Sequence, residues 1–193
     1  RYEKGRTASP LETIGTTKGT GTKVTFYTDN TIFTTTTFEW DILASRLREL
    51  AFLNKGIEIS LTREDPPKEE LFKFSGGIIE FVEHLNRSKN PIHSKVIFFE
   101  KEKDNIQVEI AMQYTDSYNE VMYCFANNIN TIEGGTHLSG FRSALTRTIN
   151  SYAKNNKLIK EDKESMGGDD VREGLTAVIS IKLPRPQFEG QTK

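Results

Sequence analysis

The sequence contains very little cysteine. Cys124 is the only one among 193 residues, so no disulfide can form within the chain and a disulfide-stapled fold is excluded. It lies in the apolar run 121–125, where a thiol usually acts as a small buried hydrophobic group. This usage fits a reducing compartment, and we expect a cytoplasmic protein.

The sequence also lacks a long apolar run and an excess of charge of either sign. No stretch approaches the roughly 18 apolar residues of a membrane span, and residues 1–21 are polar, unlike a signal peptide. Lys plus Arg number 26 and Asp plus Glu 27, giving a net charge of -1. We therefore expect no membrane partner, and any contact with DNA has to be local.

The length suits one large domain or two small ones, and we interpret it as two. In the first half, residue periodicity predicts a sequence of four features. They are a half-buried strand at 22–28 that ends in a turn at Asp29-Asn30, an amphipathic helix at 38–54 stopped by Gly56, a strand at 57–62 with one face on that helix, and a solvated hairpin or loop at 63–70.

In the second half, the pattern predicts a helix, a group of strands, a long helix and a last strand. These are a helix at 78–86, strands at 94–100, 106–112 and 118–126 that form an antiparallel meander, a helix at 137–154 that lies on the sheet, and an alternating strand at 175–183. Thr136 is the predicted cap of the long helix, and His137 is interpreted as a residue of its start. Asp170 and Glu173 have the spacing of a capping box, with Asp170 as the cap.

Four motifs follow one another along the chain. They are RLRELAFLNKG at 46–56, GGTHLSGFRSALTRTINSYA at 134–153, GGDDVREGLTAVIS at 167–180 and PQFEGQTK at 186–193. In kind, order and rough spacing they resemble the ATPase subunits of bacterial type II topoisomerases, the DNA gyrase B subunit and its topoisomerase IV counterpart. The resemblance spans nearly the whole chain.

The resemblance implies an α+β fold in two parts. Residues 1–75 are expected to be the C-terminal portion of a Bergerat-type ATPase domain of the GHKL superfamily. Residues 76–193 are expected to be a transducer domain, a ribosomal-protein-like β-α-β sandwich with a four-stranded sheet and a left-handed crossover. Because the chain starts at Arg1 without Met and stops at a lysine of the last motif, we expect it to be a fragment of a longer protein.

The resemblance also assigns nucleotide-binding residues. Gln191 and Lys193 are expected to contact the γ-phosphate of ATP, and Thr22 is expected to support adenine recognition. An ammonium and an amide can compensate phosphate charge, and a hydroxyl can both donate and accept a hydrogen bond. Taken without the resemblance, the tail is interpreted as a solvated end and the region of Thr22 as a simple hairpin loop.

For DNA, the resemblance assigns Arg142 and Arg147 to the wall of a cavity that holds a duplex. Such arginines bind phosphate and do not read sequence; from the residues alone, they are solvated charges. No Cys, His or carboxylate set at metal-ligand spacing accompanies His137. Glu39 and Asp41 are interpreted as charges at a helix start, so no catalytic and no metal-binding residue is assigned.

The activity implied is that of an ATP-dependent type II topoisomerase, which uses ATP and Mg2+ with its main ligands outside this chain. The implied partners are the gyrase A subunit in a heterotetramer, a second copy of the B subunit when ATP binds, and double-stranded DNA. The chain alone is expected to be inactive. The segment 141–147 leans toward gyrase, while the topoisomerase IV counterpart and a non-enzymatic coupling or binding module with the same sandwich are the alternatives.

Overall fold

A computed structural model describes residues 1–25, 27–159 and 165–188 of the chain. The chain forms two compact units, Arg1–Phe38 and Glu39–Lys193. The first unit is mostly irregular, and the second contains the helices and the main sheet. The predicted domain boundary after Ser75 stays a prediction.

The first unit begins with a short antiparallel hairpin of β1 (Tyr2–Glu3) and β2 (Arg6–Thr7). The predicted turn at Asp29 is confirmed, because the Thr31 N–H donates to Asp29 Oδ1 over 2.8 Å. Hydrogen bonds from the Thr31 hydroxyl and N–H lower the pKa of Asp29. The predicted half-buried strand is wrong for residues 22–25 and 27–28, which pair with no described strand, and Val24 is 77% exposed. A strand needs a neighbour to satisfy its backbone groups.

The second unit opens with the predicted amphipathic helix, α1 (Trp40–Leu53), followed by β3 (Glu58–Arg63). The apolar residues of β3, Ile59 and Leu61, pack against α1 as predicted. The hairpin continues into β4 (Lys68–Lys73), which runs antiparallel to β3. Sequence reasoning missed β4 because most of its exposed positions are charged, although Phe72 is buried between it and the helix.

The next helix, α2 (Ile78–Asn86), has the predicted bounds and presents its apolar stripe to a shared core. Phe52 of α1 stacks on Phe81 of α2 with ring centroids 4.8 Å apart. Ile78 and Val82 are buried in the same cluster. Stacked aromatic pairs of this kind add to the free energy gained from apolar burial, so α1 and α2 form one packed layer.

Within the described residues, the main sheet has five strands. They are β5 (Ile97–Lys103), β6 (Ile106–Tyr114), β7 (Val121–Ala126), β8 (Ile129–Asn130) and β9 (Leu175–Lys182). Their order across the sheet is β5-β6-β9-β7-β8, with β9 antiparallel to β6 and parallel to β7. Between β8 and β9, the described residues form two helices, α3 (Thr136–Asn155) and α4 (Gly168–Arg172). The mixed sheet with helices confirms the α+β class.

The predicted antiparallel meander is wrong at its third strand. Strand β7 does not pair with β6, because β9 lies between them. The reason is burial: residues 175–180 of β9 are all buried, and a strand buried on both faces belongs at the centre of the sheet. Thr176 and Ser180 give the sequence of β9 the pattern of a strand with one exposed face, but both residues are buried.

The two faces of the sheet carry separate cores. On one face, Val178 and Phe125 pack with α1 and α2. On the other, Ile179 and Cys124 pack with Phe141 of α3, so the predicted position of α3 on the sheet is confirmed. The two-residue β8 makes a fifth strand where the resemblance implied four. The left-handed crossover stays a prediction.

Both predicted helix caps are shifted in register. The N-cap of α3 is Gly135, and Thr136 is the first helical residue; the φ of 144° at Gly135 favours glycine. In α4 the N-cap is Gly167, whose N–H donates to the Asp170 carboxylate over 2.8 Å. Asp170 therefore stabilises the helix start from its third position, as a capping-box acid does.

We predict that Gly174→Ala is strongly destabilising. Gly174 has a φ of 71°, and an added Cβ would lie 2.4 Å from the Thr115 carbonyl oxygen and 2.7 Å from that of Ser117. Backbone strain and overlap together should lower the free energy of unfolding by roughly 2–4 kcal/mol.

Chemical denaturation would measure this effect against a matched control. Gly140 lies in α3 with no atom beyond its own helix backbone within 4 Å of an added Cβ. Gly140→Ala should therefore raise the free energy of unfolding by about 0.5–1 kcal/mol through helix propensity. Equal effects of the two substitutions would contradict this account of Gly174.

Candidate functional site

The predicted site residues fall in different parts of the molecule. Arg142 and Arg147 lie on α3, whereas Thr22 is an exposed residue of the first unit. Gln191 and Lys193 lie outside the described residues. The structure therefore gives the surroundings of Arg142 and Arg147 and the course of the chain up to Phe188.

Arg142 takes part in a cluster of four charged side chains. Its Nε and Nη2 donate to Glu120 Oε1 over 3.1 and 2.8 Å. The other oxygen of the same carboxylate, Oε2, accepts from Arg172 Nε over 3.3 Å. Arg172 Nη2 also donates to Asp169 Oδ1 over 2.7 Å. Two guanidinium groups thus converge on one carboxylate, the arrangement that Arg uses for carboxylate and phosphate alike.

Three elements of the second unit bring this cluster together. Glu120 immediately precedes β7, Arg142 follows the buried Phe141 on α3, and Arg172 ends α4. The Tyr114 hydroxyl of β6 donates to the Val171 carbonyl over 2.8 Å and so ties α4 to the sheet. Sequence reasoning did not find Glu120, because no local pattern marks a carboxylate that is 22 residues away from its partner.

The exposure of the cluster decreases from Arg142 to Arg172. The Arg142 side chain is 40% exposed, that of Glu120 26%, and that of Arg172 13%. Arg147, five residues farther along α3, is exposed; residues at this spacing do not share a helix face. The two arginines therefore differ in setting, since Arg142 is held by Glu120 and Arg147 faces water.

Cys124 and His137 lie behind the cluster, at the interface of sheet and α3. Burial raises the pKa of the Cys124 thiol to about 11, with smaller opposing effects of Arg142 and Glu120. Burial also lowers the pKa of His137. The Thr131 hydroxyl donates its single proton to the Cys124 carbonyl, so it can only accept a hydrogen bond from His137. The His137 Nε2–H therefore donates to Thr131 Oγ1 over 3.1 Å. His137 is therefore a structural residue of the helix start, as predicted.

The exit of the chain from β9 is held by one side chain. Asn127, in the turn between β7 and β8, donates from Nδ2 to the Leu183 carbonyl over 2.9 Å. Its Oδ1 accepts the Leu183 N–H over 2.8 Å. An open polar cavity of about 370 Å³ lies beside this exit. Asn127 thereby fixes the direction in which the chain leaves the sheet.

The same turn is bound to α1 on its other side. Asn128 Nδ2 donates to Asn54 Oδ1 over 3.2 Å, and Arg46 Nη2 donates to the Asn128 carbonyl over 2.7 Å. Arg46 also pairs with Glu49, and Arg48 pairs with Glu70. Arg46 and Arg48 therefore both tie α1 to its neighbours.

In the part of the chain that the structure describes, no group of three or more His, Cys, Asp or Glu side chains is arranged to hold a metal ion. None of the helices described is both long and apolar enough to cross a membrane.

Comparison with known proteins identifies the family. A family model described as DNA gyrase B matches residues 77–193, which include α2, α3 and the whole main sheet. The chain belongs to the DNA gyrase B family.

Curated gyrase B relatives match the chain throughout. The DNA gyrase B protein of Halalkalibacterium halodurans is 57% identical over 100% of the chain, which spans 31% of that protein. The DNA gyrase B protein of Clostridium acetobutylicum is 54% identical over 100% of the chain, which spans 30% of it. The chain thus covers about a third of the length of these relatives.

A solved gyrase B structure has the same fold. The 43K ATPase domain of Thermus thermophilus gyrase B, in complex with an aminocoumarin, matches with a TM-score of 0.73 and 38% identity. The match covers 84% of this chain and 44% of that one. The expected relation to this family and its α+β fold is confirmed.

In this member of the DNA gyrase B family, we predict that Asn127→Gly loosens the exit from β9. Glycine tolerates the φ of 48° at this position but removes both hydrogen bonds to Leu183. Amide hydrogen exchange at Leu183 should become about 5–15-fold faster, the effect of one or two lost hydrogen bonds on local opening.

Asn105→Gly is the matched control. Asn105 has a φ of 60° in the turn between β5 and β6, so the substitution carries the same backbone change without touching Leu183. An unchanged exchange rate at Leu183 in Asn127→Gly would show that Asn127 does not hold the exit.

Proposed function

We propose that this chain couples nucleotide state to movement in an ATP-dependent type II DNA topoisomerase, as part of the DNA gyrase B protein. The observation that carries the proposal is the match of the DNA gyrase B family model to residues 77–193. The similarity to the ATPase domain of the Thermus thermophilus protein supports it further. In this role the chain acts as a transducer, residues 76–193, attached to the end of an ATP-binding domain, residues 1–75.

The nucleotide-sensing end of this transducer is the last motif. Gln191 and Lys193 would contact the terminal phosphate of ATP, since an ammonium and an amide donate charge-assisted and neutral hydrogen bonds to phosphate oxygens. A contact made with ATP and lost with ADP shifts the balance between two conformations. Thr22 would support the adenine site through its hydroxyl. Mg2+ would accompany the nucleotide, and we assign no ligand for it to this chain.

The described part of the chain suits this transmission. The last motif follows β9, which pairs with a strand on each side and is buried on both faces. Asn127 holds the chain where it leaves that strand. A displacement beyond Leu183 therefore acts on the most tightly packed strand of the domain, which resists local deformation and moves with the sheet.

The DNA-facing side of the transducer would be α3. Arg142 and Arg147 would contact phosphates of a duplex enclosed between two copies of the gyrase B protein, with the gyrase A protein completing the heterotetramer. The overall charge of -1 gives no long-range attraction for DNA, so these contacts have to be local and independent of base sequence. Hydrolysis of ATP would then release the closed state.

The test is calorimetric titration of a full-length gyrase B protein that contains this chain. We expect Lys193→Ala to weaken binding of a non-hydrolysable ATP analogue with Mg2+ by roughly 10–100-fold, the effect of losing a charge-assisted hydrogen bond. Binding of ADP should stay unchanged, because the lost partner is the terminal phosphate.

Lys101→Ala provides the control for a lost lysine charge. Lys101 is exposed on β5, and its removal should leave both affinities unchanged. Equal weakening of analogue and ADP in Lys193→Ala, or no weakening of either, would refute phosphate sensing by this residue.

A further inference from the structure

The carboxylate of Glu120 occupies the place of a phosphate at Arg142. Arg142 presents Nε and Nη2, the fork edge of its guanidinium, to a single oxygen of Glu120. The same edge of an arginine binds a phosphate oxygen. Arg142 is also the most exposed of the two arginines and the glutamate, at 40%. A DNA phosphate that reaches Arg142 therefore meets an anion already bound there.

Repulsion between the phosphate and the Glu120 carboxylate determines whether the phosphate can bind to Arg142. A phosphate and a carboxylate cannot share one guanidinium edge without repulsion, and this repulsion is strong where water is partly excluded. Binding of a phosphate at this edge thus requires Arg142 to leave Glu120, so the new ion pair is offset by the loss of an old one. An exchange of this kind lowers affinity for DNA without removing it.

Arg172 makes the exchange feasible. It contacts Oε2 of Glu120, the oxygen that Arg142 does not use, over 3.3 Å. Because Arg172 is only 13% exposed, it stays beside Glu120 when Arg142 turns outward. Glu120 then keeps a partner, and the large cost of a buried unpaired charge is avoided.

We infer that Glu120 is an internal competitor for DNA phosphate at Arg142, with Arg172 as the residue that holds Glu120 after the exchange. The inference rests on the proposed function of Arg142 as a phosphate contact. It assigns to Glu120 the control of how tightly the transducer binds DNA. Because Glu120 compensates the charge of Arg142, the attraction between α3 and a duplex is weakened.

Fluorescence anisotropy over a range of salt concentrations would measure how tightly the full-length protein binds a short labelled duplex. Glu120→Gln keeps the shape of the side chain and an oxygen that accepts from Arg142, but removes the negative charge. We expect it to tighten binding about 3–10-fold and to steepen the dependence of log affinity on log salt by about 1, as for one more free cationic contact.

Three further variants separate the explanations. Glu109→Gln removes the same charge from a side chain of β6 that is 20% exposed and paired with Lys55, so it should tighten binding less than about twofold if net charge is not the cause. Arg142→Ala should weaken binding. In the double variant Glu120→Gln with Arg142→Ala, the gain should disappear, since the two residues act through one contact.

The possible results distinguish the DNA contact from the competition. If Arg142→Ala leaves affinity unchanged, the proposed DNA contact itself is wrong. If Arg142→Ala weakens binding but Glu120→Gln gives no gain, or if Glu109→Gln gives the same gain, the inference about Glu120 is wrong while the DNA contact stands.

A second measurement does not depend on the folding of Glu120→Gln. In the unaltered full-length protein with 15N-labelled arginine, the Nε–H resonance of Arg142, assigned by Arg142→Lys, reports its hydrogen bond to Glu120. We expect it to shift during titration with the duplex, over the concentrations at which anisotropy saturates. If this resonance does not shift while DNA binds, the proposal that Arg142 exchanges Glu120 for a phosphate is wrong.

Discussion

The burial of β9 on both faces is the constraint on which the rest of the structure depends. Six consecutive residues of this strand are buried, so it can lie only at the centre of the sheet, with a layer of helices on each side. One of its two buried polar residues, Thr176, is accommodated because the hydroxyl donates to Asn86 Oδ1 of α2 over 2.7 Å. Asn86 in turn donates to Gln113 of β6. A buried polar group that is satisfied in this way fixes the register of strand and helix together.

The two ends of β9 carry the features that bear on function. At its start, Gly174 lets the chain pass close to the carbonyls of Thr115 and Ser117, and this tight passage sets α4, with Arg172, beside Glu120. At its end, Asn127 fixes Leu183 and, through the adjoining Asn128, connects this exit to α1. The central strand therefore links the charged cluster of α3 and α4 to the segment that leads to the last motif. In a close-packed interior, such a strand resists local deformation because it has no room to deform alone.

The charges of this chain act through individual ion pairs and not through a net charge. The total of -1 matches the local picture, in which cations that could bind phosphate are compensated by carboxylates of the same chain. Arg142 with Glu120 and Arg48 with Glu70 are examples. A molecule of this kind binds a polyanion only where an internal pair can be exchanged or where a cation such as Arg147 is left in water. Contacts of that sort are sensitive to salt and to small rearrangements.

The sequence by itself determined the family and the positions of the main helices, because local periodicity and long motifs carry that information. The bounds of α2 were predicted to the residue and those of α1 and α3 to within two, since an apolar stripe at helical spacing is a local property. The order of the strands was decided only in the tertiary structure. A buried threonine or serine looks like an exposed one in sequence, and the place of β9 between β6 and β7 depends on helices far away in the chain. The same holds for Glu120 and Asn127: their partners are distant in sequence, and only packing brings them within hydrogen-bonding distance.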